Sequence, residues 1–112
     1  MLEEDRLRLT EIAARCALIE GWVEESEESA FQTDQMRRDA IAMSLLVIGE
    51  TARRLSDTVK SSTSHVPWPA IVSLRNRIAH GYETVDAARV WQIAAHDIPA
   101  LHASVLTLLA SA

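Results

Sequence analysis

At 112 residues, with 48% hydrophobic and 24% charged side chains and only three glycines and three prolines, the chain has room for one domain (1–112) built almost entirely of helices. It leaves none for a separate substrate domain. A net charge of −5 excludes a generic polyanion-binding surface, but the charge is unevenly spread. Residues 1–34 hold ten acids against three bases, whereas residues 35–112 hold six acids against eight bases, so the later part can still form a local positive cleft. The single cysteine, Cys16, excludes an intramolecular disulfide and a Cys-x-x-Cys pair, and we read it as core.

From about Glu3 to Glu25, Leu9, Ile12, Cys16, Ile19 and Val23 recur at spacings of three and four, one stripe of an amphipathic helix. A polar loop over 24–32 follows, with Phe31 as an apolar anchor. Thr33 or Asp34 then caps a second helix expected to run to about Lys60. Its stripe is Ile41, Leu45, Ile48, Ala52, Leu55 and Val59, and Ala40, Met43, Leu46 and Val47 spread over the remaining faces. A helix apolar nearly all round needs more cover than one small core supplies, and the simplest second cover is another copy in a twofold dimer. Glu50 lies inside this apolar helix and calls for a cationic partner such as an arginine.

A Ser/Thr-rich connection leads to Pro67-Trp68-Pro69, which opens a third helix with core stripe Ile71, Leu74 and Ile78. Gly81 suits a left-handed cap, so this helix is expected to end at His80. Thr84 or Asp86 caps a fourth helix with Ala87, Val90, Trp91 and Ala94 inward. Pro99 is expected to break the chain before a short last helix. The longest nearly apolar run, Ala40–Gly49, falls short of the about 20 residues that cross a bilayer, and the acidic N-terminus is unlike a signal peptide. The expected location is the cytoplasm, away from membranes.

The chemistry concentrates in Arg75-Asn76-Arg77-Ile78-Ala79-His80-Gly81-Tyr82. Arginine forks onto phosphate oxygens, histidine exchanges protons near neutrality, and asparagine orients an oxygen. On an ideal helix Arg75 and His80 lie about 140° apart in azimuth and about 7.5 Å apart in rise. They do not share a face, whereas Asn76 and His80 do. A twofold dimer would bring two copies of the set to one cleft. The blander alternative is a solvated arginine, a helix-capping histidine and a half-buried Tyr82. Glu50 divides evenly between a structural ion pair and a supporting role in the site. His65, His80, His96 and His102 show no metal-ligand spacing, and no metal or cofactor is expected.

The pattern Arg-Asn-x-x-x-His-x-Tyr resembles the active-site signature of HEPN-domain ribonucleases and, with Tyr82, that of the HepT toxin family. The resemblance extends over Asp5-Arg6-Leu7, Phe31, Ile48-Gly49-Glu50, Pro67-Trp68, Trp91 and Asp97-Ile98-Pro99. It departs at Thr51 and Ser73, where alanine and glycine are common. The resemblance implies an all-α, four-to-five-helix up-down bundle that forms a homodimer and cleaves RNA without metal. Arg75 and His80, with Asn76, would be catalytic. It further implies a toxin whose antitoxin is a nucleotidyltransferase that silences it by transferring AMP to Tyr82. A non-catalytic HEPN module that dimerises and binds a nucleotidyltransferase stands as the alternative.

Overall fold

The computed structural model describes residues 1–111. Four long helical courses set the architecture: α1 (Glu3–Glu24), α3 (Gln35–Arg53), α5 (Trp68–Gly81) and the run from α6 (Ala87–Gln92) into α7 (Ile98–Ser111). Two short helices, α2 (Glu28–Phe31) and α4 (Asp57–Ser62), sit in the connections. No strand occurs among the described residues, and the chain is the expected all-α bundle. α3 lies centrally, packed on α1 and α5, while α7 covers the opposite side of α1.

The apolar stripes become the core as the spacing requires. Leu9, Ile12, Cys16 and Ile19 of α1 meet Ile41, Leu45, Ile48 and Ala52 of α3 and Val90, Ala94, Ile98 and Val105 of the last course, all buried. Burial pushes the Cys16 thiol up to about 12, so it behaves as a small apolar side chain. Phe31 is fully buried and sits against Trp91 with ring centroids 5.2 Å apart, which anchors the loop that precedes α3.

Three boundaries differ from the sequence expectation. The second helix stops at Arg53 instead of running to Lys60. Ser56 starts a new helix by accepting the Val59 amide proton, and the buried Asp5 of α1 accepts from both Ser56 N (3.0 Å) and Ser56 Oγ (2.7 Å). Arg8 of α1 donates to the Arg54 carbonyl at the same break. The stop is therefore imposed from α1, 51 residues away in the chain.

α5 continues through Gly81, which adopts φ −173° rather than a left-handed conformation, and Tyr82–Thr84 follow as one 3₁₀ turn. Pro99 does not break the last course. Residues Ile93–Asp97 form a π turn just before it, and that widening relieves the clash a proline ring makes with the carbonyl four residues back. With the break removed, Ala87–Ser111 is one helical course of 25 residues, long and apolar enough by length and composition to cross a membrane. In the bundle its stripe Val90, Ile93, Ala94, Ile98, Leu101 and Val105 is buried in the core. A partly buried His102 Nδ1 lies 2.8 Å from Glu20 Oε1 and ties the course to α1.

Between α5 and α7, over α3, an open cleft of ≈ 440 Å³ separates the two helices, lined by Leu45, Ile71, Leu74 and Leu101 among others. Ile71 and Leu74 are for this reason only half-buried. On α3 the second apolar face is uncovered in the single chain. Met36 is 82% and Met43 57% exposed.

Candidate active site on α5

Asp34 caps α3 by accepting the Arg37 amide proton at 3.0 Å, and Pro69 occupies the first turn of α5. These starts set the two helices whose contact builds the site. The two helices approach tightly at Gly49. A Cβ there would collide with Arg75 Cβ and would stand 3.0 Å from the Ile71 carbonyl oxygen. Only a residue without a side chain lets α3 lie this near to α5, which places the root of Arg75 directly on α3.

The next residue, Glu50, holds the other end of the same side chain. Arg75 Nε is 3.1 Å from Glu50 Oε2, yet that N–H is buried and has no acceptor in line with it. Charge, rather than a directed hydrogen bond, maintains the pair. Glu50 also meets Arg53 Nη2 at 2.6 Å and Arg54 Nη2 at 3.4 Å on its other oxygen. The Arg53 hydrogen bond, with the charges of Arg53, Arg75 and Arg54, outweighs partial desolvation and holds the Glu50 carboxyl below the ordinary range. The expected cationic partner is thus a set of three arginines around one carboxylate.

Arg75 Nη1 donates to Asn76 Oδ1 at 3.1 Å. With Nε turned to Glu50 and one Nη1 proton given to Asn76, the remaining Nη protons are available for a ligand. Arg75, Asn76 and Glu50 therefore come together. His80 does not join them. It is exposed near the end of α5, and among the described residues no ion pair or side-chain hydrogen bond engages it. This is the separation that helical geometry predicts for residues five apart.

Tyr82, on the 3₁₀ turn after α5, is half-buried and its hydroxyl donates to Asp39 Oδ1 of α3 at 2.8 Å. Burial, then the hydrogen bond to the Asp39 carboxylate and its charge, push the phenol up to about 12. The phenol stays protonated at neutral pH and faces a ready acceptor. Asp39 and Gly49 were not singled out as site residues by sequence reasoning. Asp39 looks like any solvated acid in the first turns of a helix, and its role appears only once Tyr82 folds back over α3. Gly49 carried a signal, as the lone glycine in an apolar helix where glycine costs about 1 kcal/mol relative to alanine.

The remaining histidines and tryptophans are structural or peripheral. His65 Nε2 lies 3.4 Å from Ser104 Oγ, and Trp68 is buried with its Nε1–H donated to Thr63 Oγ1 at 3.0 Å.

Residues 12–108 match the family model described as ribonuclease HepT-like. Among similar proteins is one named gamma-glutamylcyclotransferase and putative RNase from Methanocaldococcus jannaschii, 26% identical over 109 residues. That match covers 97% of this chain and 49% of that protein, so the chain spans about half its length. The chain is 29% identical over 93 residues to the probable ribonuclease HepT of Thermococcus cleftensis, covering 83% of this chain and 84% of that one. A protein named putative RNase from Caldanaerobacter subterraneus subsp. tengcongensis is 27% identical over 108 residues, 96% of each chain. No solved structure matches.

Proposed function

We propose, from the premise that the chain belongs to the HepT-like ribonuclease family, that it is a metal-independent endoribonuclease and the toxin of a toxin and antitoxin pair. The observation that carries this reading is the seating of Arg75. Its guanidinium is fixed by Glu50 and Asn76, with donors left over, on the helix that also presents an exposed His80.

In RNA the nucleophile is already part of the substrate, so no bound water has to be activated. The 2′-hydroxyl oxygen bonds to phosphorus, the bond from phosphorus to the 5′-oxygen breaks, and the products are a 2′,3′-cyclic phosphate and a 5′-hydroxyl. His80 transfers a proton in this exchange, either from the 2′-oxygen or to the 5′-oxygen. Arg75 stabilises the negative charge that grows on the phosphoryl oxygens, Asn76 orients a substrate oxygen, and Glu50 acts as a positioning residue for Arg75. One chain presents one imidazole, away from its Arg75. A homodimer that places two copies of α5 along one cleft supplies the second imidazole, and the exposed Met36 and Met43 face of α3 supports such pairing.

Regulation follows at Tyr82. In the proposed silencing step the phenol oxygen bonds to the α-phosphorus of ATP held by a partner nucleotidyltransferase, and pyrophosphate leaves. Asp39, already at hydrogen-bond distance, accepts the phenolic proton. The added phosphate brings negative charge and bulk beside His80. This activity belongs in the cytoplasm, where RNA and such a partner meet.

The alternative of a non-catalytic binding module is supported by the contacts of Arg75, which go to Glu50 and Asn76 and not to His80. Cleavage of RNA in EDTA by the purified protein, compared with His80→Ala, separates the two readings. Loss of at least about 10²-fold in rate is expected, with cyclic phosphate ends from the parent. A variant that cleaves as fast as the parent removes His80 from the chemistry.

A further inference from the structure

Beside Arg75 and Asn76 a groove runs between α4 and the first half of α5. Arg53, Lys60, Ser64, Ser73 and Asn76 stand along it, over a floor that includes Val66 and Trp68, and Asp57 is the acid on its wall. The groove is joined to the site through contacts already described. Asn76 accepts from Arg75, Arg75 and Arg53 share Glu50, and Lys60 Nζ donates to the Arg53 carbonyl at 3.3 Å. Counting Arg53, Arg54, Lys60 and Arg75 against Glu50 and Asp57, cations outnumber carboxylates two to one, in a chain whose net charge is −5. The first turn of α5 forms part of the same wall, and the positive end of its helix dipole adds to the field.

The polar groups suit an extended polyanion rather than a base. Serine hydroxyls and cations bind phosphate and ribose oxygens. Trp68, the aromatic ring here, is buried and committed to Thr63, so it offers no face for stacking.

We propose that this groove is a subsite for the phosphodiester backbone of single-stranded RNA flanking the scissile bond, with Arg53 and Lys60 as its phosphate-binding cations. The proposal rests on the ribonuclease reading of the Arg75 site, from which it supplies the path of the chain leading away. It explains how an acidic protein holds RNA, since the field is focused in one groove while the negative charge lies mostly in residues 1–34.

The test is binding of a fluorescent 2′-O-methyl RNA 12-mer, which cannot be cleaved by internal attack, measured by anisotropy over a series of salt concentrations. The double variant Arg53→Gln with Lys60→Gln should weaken binding by about tenfold at low salt. It should also reduce the slope of log K against log salt by about 1.4, the value for two phosphate contacts on a single strand. Oligo-U and oligo-A should bind with Kd values within about threefold of each other, because phosphates carry the contact. Arg15→Gln, which removes one positive charge from α1 outside the groove, should leave Kd within about twofold. Unchanged Kd and slope in the double variant, or equal weakening by Arg15→Gln, overturns the subsite. His80-dependent cleavage by a protein whose binding ignores Arg53 and Lys60 would reject the groove and keep the nuclease. Groove-dependent binding without cleavage would do the reverse.

Discussion

At the scale of single residues, the site depends on two positions of α3 outside the Arg75–Tyr82 segment. Gly49 sets how near α3 comes to α5, and a methyl group there meets the Cβ of Arg75 and the backbone of Ile71. Because backbone cannot turn aside as a side-chain tip can, Gly49→Ala should separate the helices at a cost of about 1–3 kcal/mol. RNA cleavage should fall further than the change in folded fraction accounts for. Urea unfolding and initial rates on the same preparation check this, and unchanged rates would show that Arg75 tolerates displacement. Asp39 is the second such position. Tyr82→Phe keeps the ring and removes the group that Asp39 holds, so under the proposed silencing step we expect a folded protein that does not accept AMP. Intact mass after incubation with the nucleotidyltransferase and ATP gives the answer. An adduct persisting on the Phe variant would place the acceptor elsewhere.

Between elements, the tie from Asp5 on α1 to Ser56 at the start of α4 determines where the second helix ends. Burial raises the Asp5 carboxyl, but the side-chain and backbone hydrogen bonds from Ser56, helped by the charges of Arg8 and the N-terminus, bring it below its ordinary 3.8. A folded value below the unfolded one means the carboxylate adds stability that is complete above about pH 5 and is lost as pH falls through the depressed value. Asp5→Ala leaves Ser56 N–H and Oγ–H without their acceptor, and about 1–3 kcal/mol of stability should go with it at neutral pH. Denaturant midpoints at pH 7 and pH 3 test both statements. The difference between parent and variant should narrow at the lower pH, and a constant difference would mean that Asp5 acts through packing alone.

For the whole molecule, one chain leaves Met36 and Met43 of α3 uncovered and joins Arg75 to Glu50 and Asn76 but not to His80. The proposed twofold partner would answer both. We expect sedimentation equilibrium at micromolar concentration to give twice the chain mass, and Met43→Glu to move the species toward monomer and lower cleavage together. A monomer with full activity would show that the site needs only one chain.

Periodicity and residue type alone made much of this protein legible. The stripes Leu9 to Ile19 and Ile41 to Ala52 name the faces that are buried, since burial on a helix follows a repeat of 3.6 whatever the neighbours are. The Arg75, Asn76, His80 and Tyr82 set points to phosphate chemistry through the side-chain types it gathers and the family signature it resembles. What folding added comes from contacts far apart in the chain. Asp5 stops a helix at Ser56, Gly49 and Glu50 seat Arg75, Asp39 receives the Tyr82 hydroxyl, and a π turn carries the last course past Pro99. No local pattern encodes these pairings, because each depends on where two helices cross, and that crossing is settled only when all the stripes are buried at once.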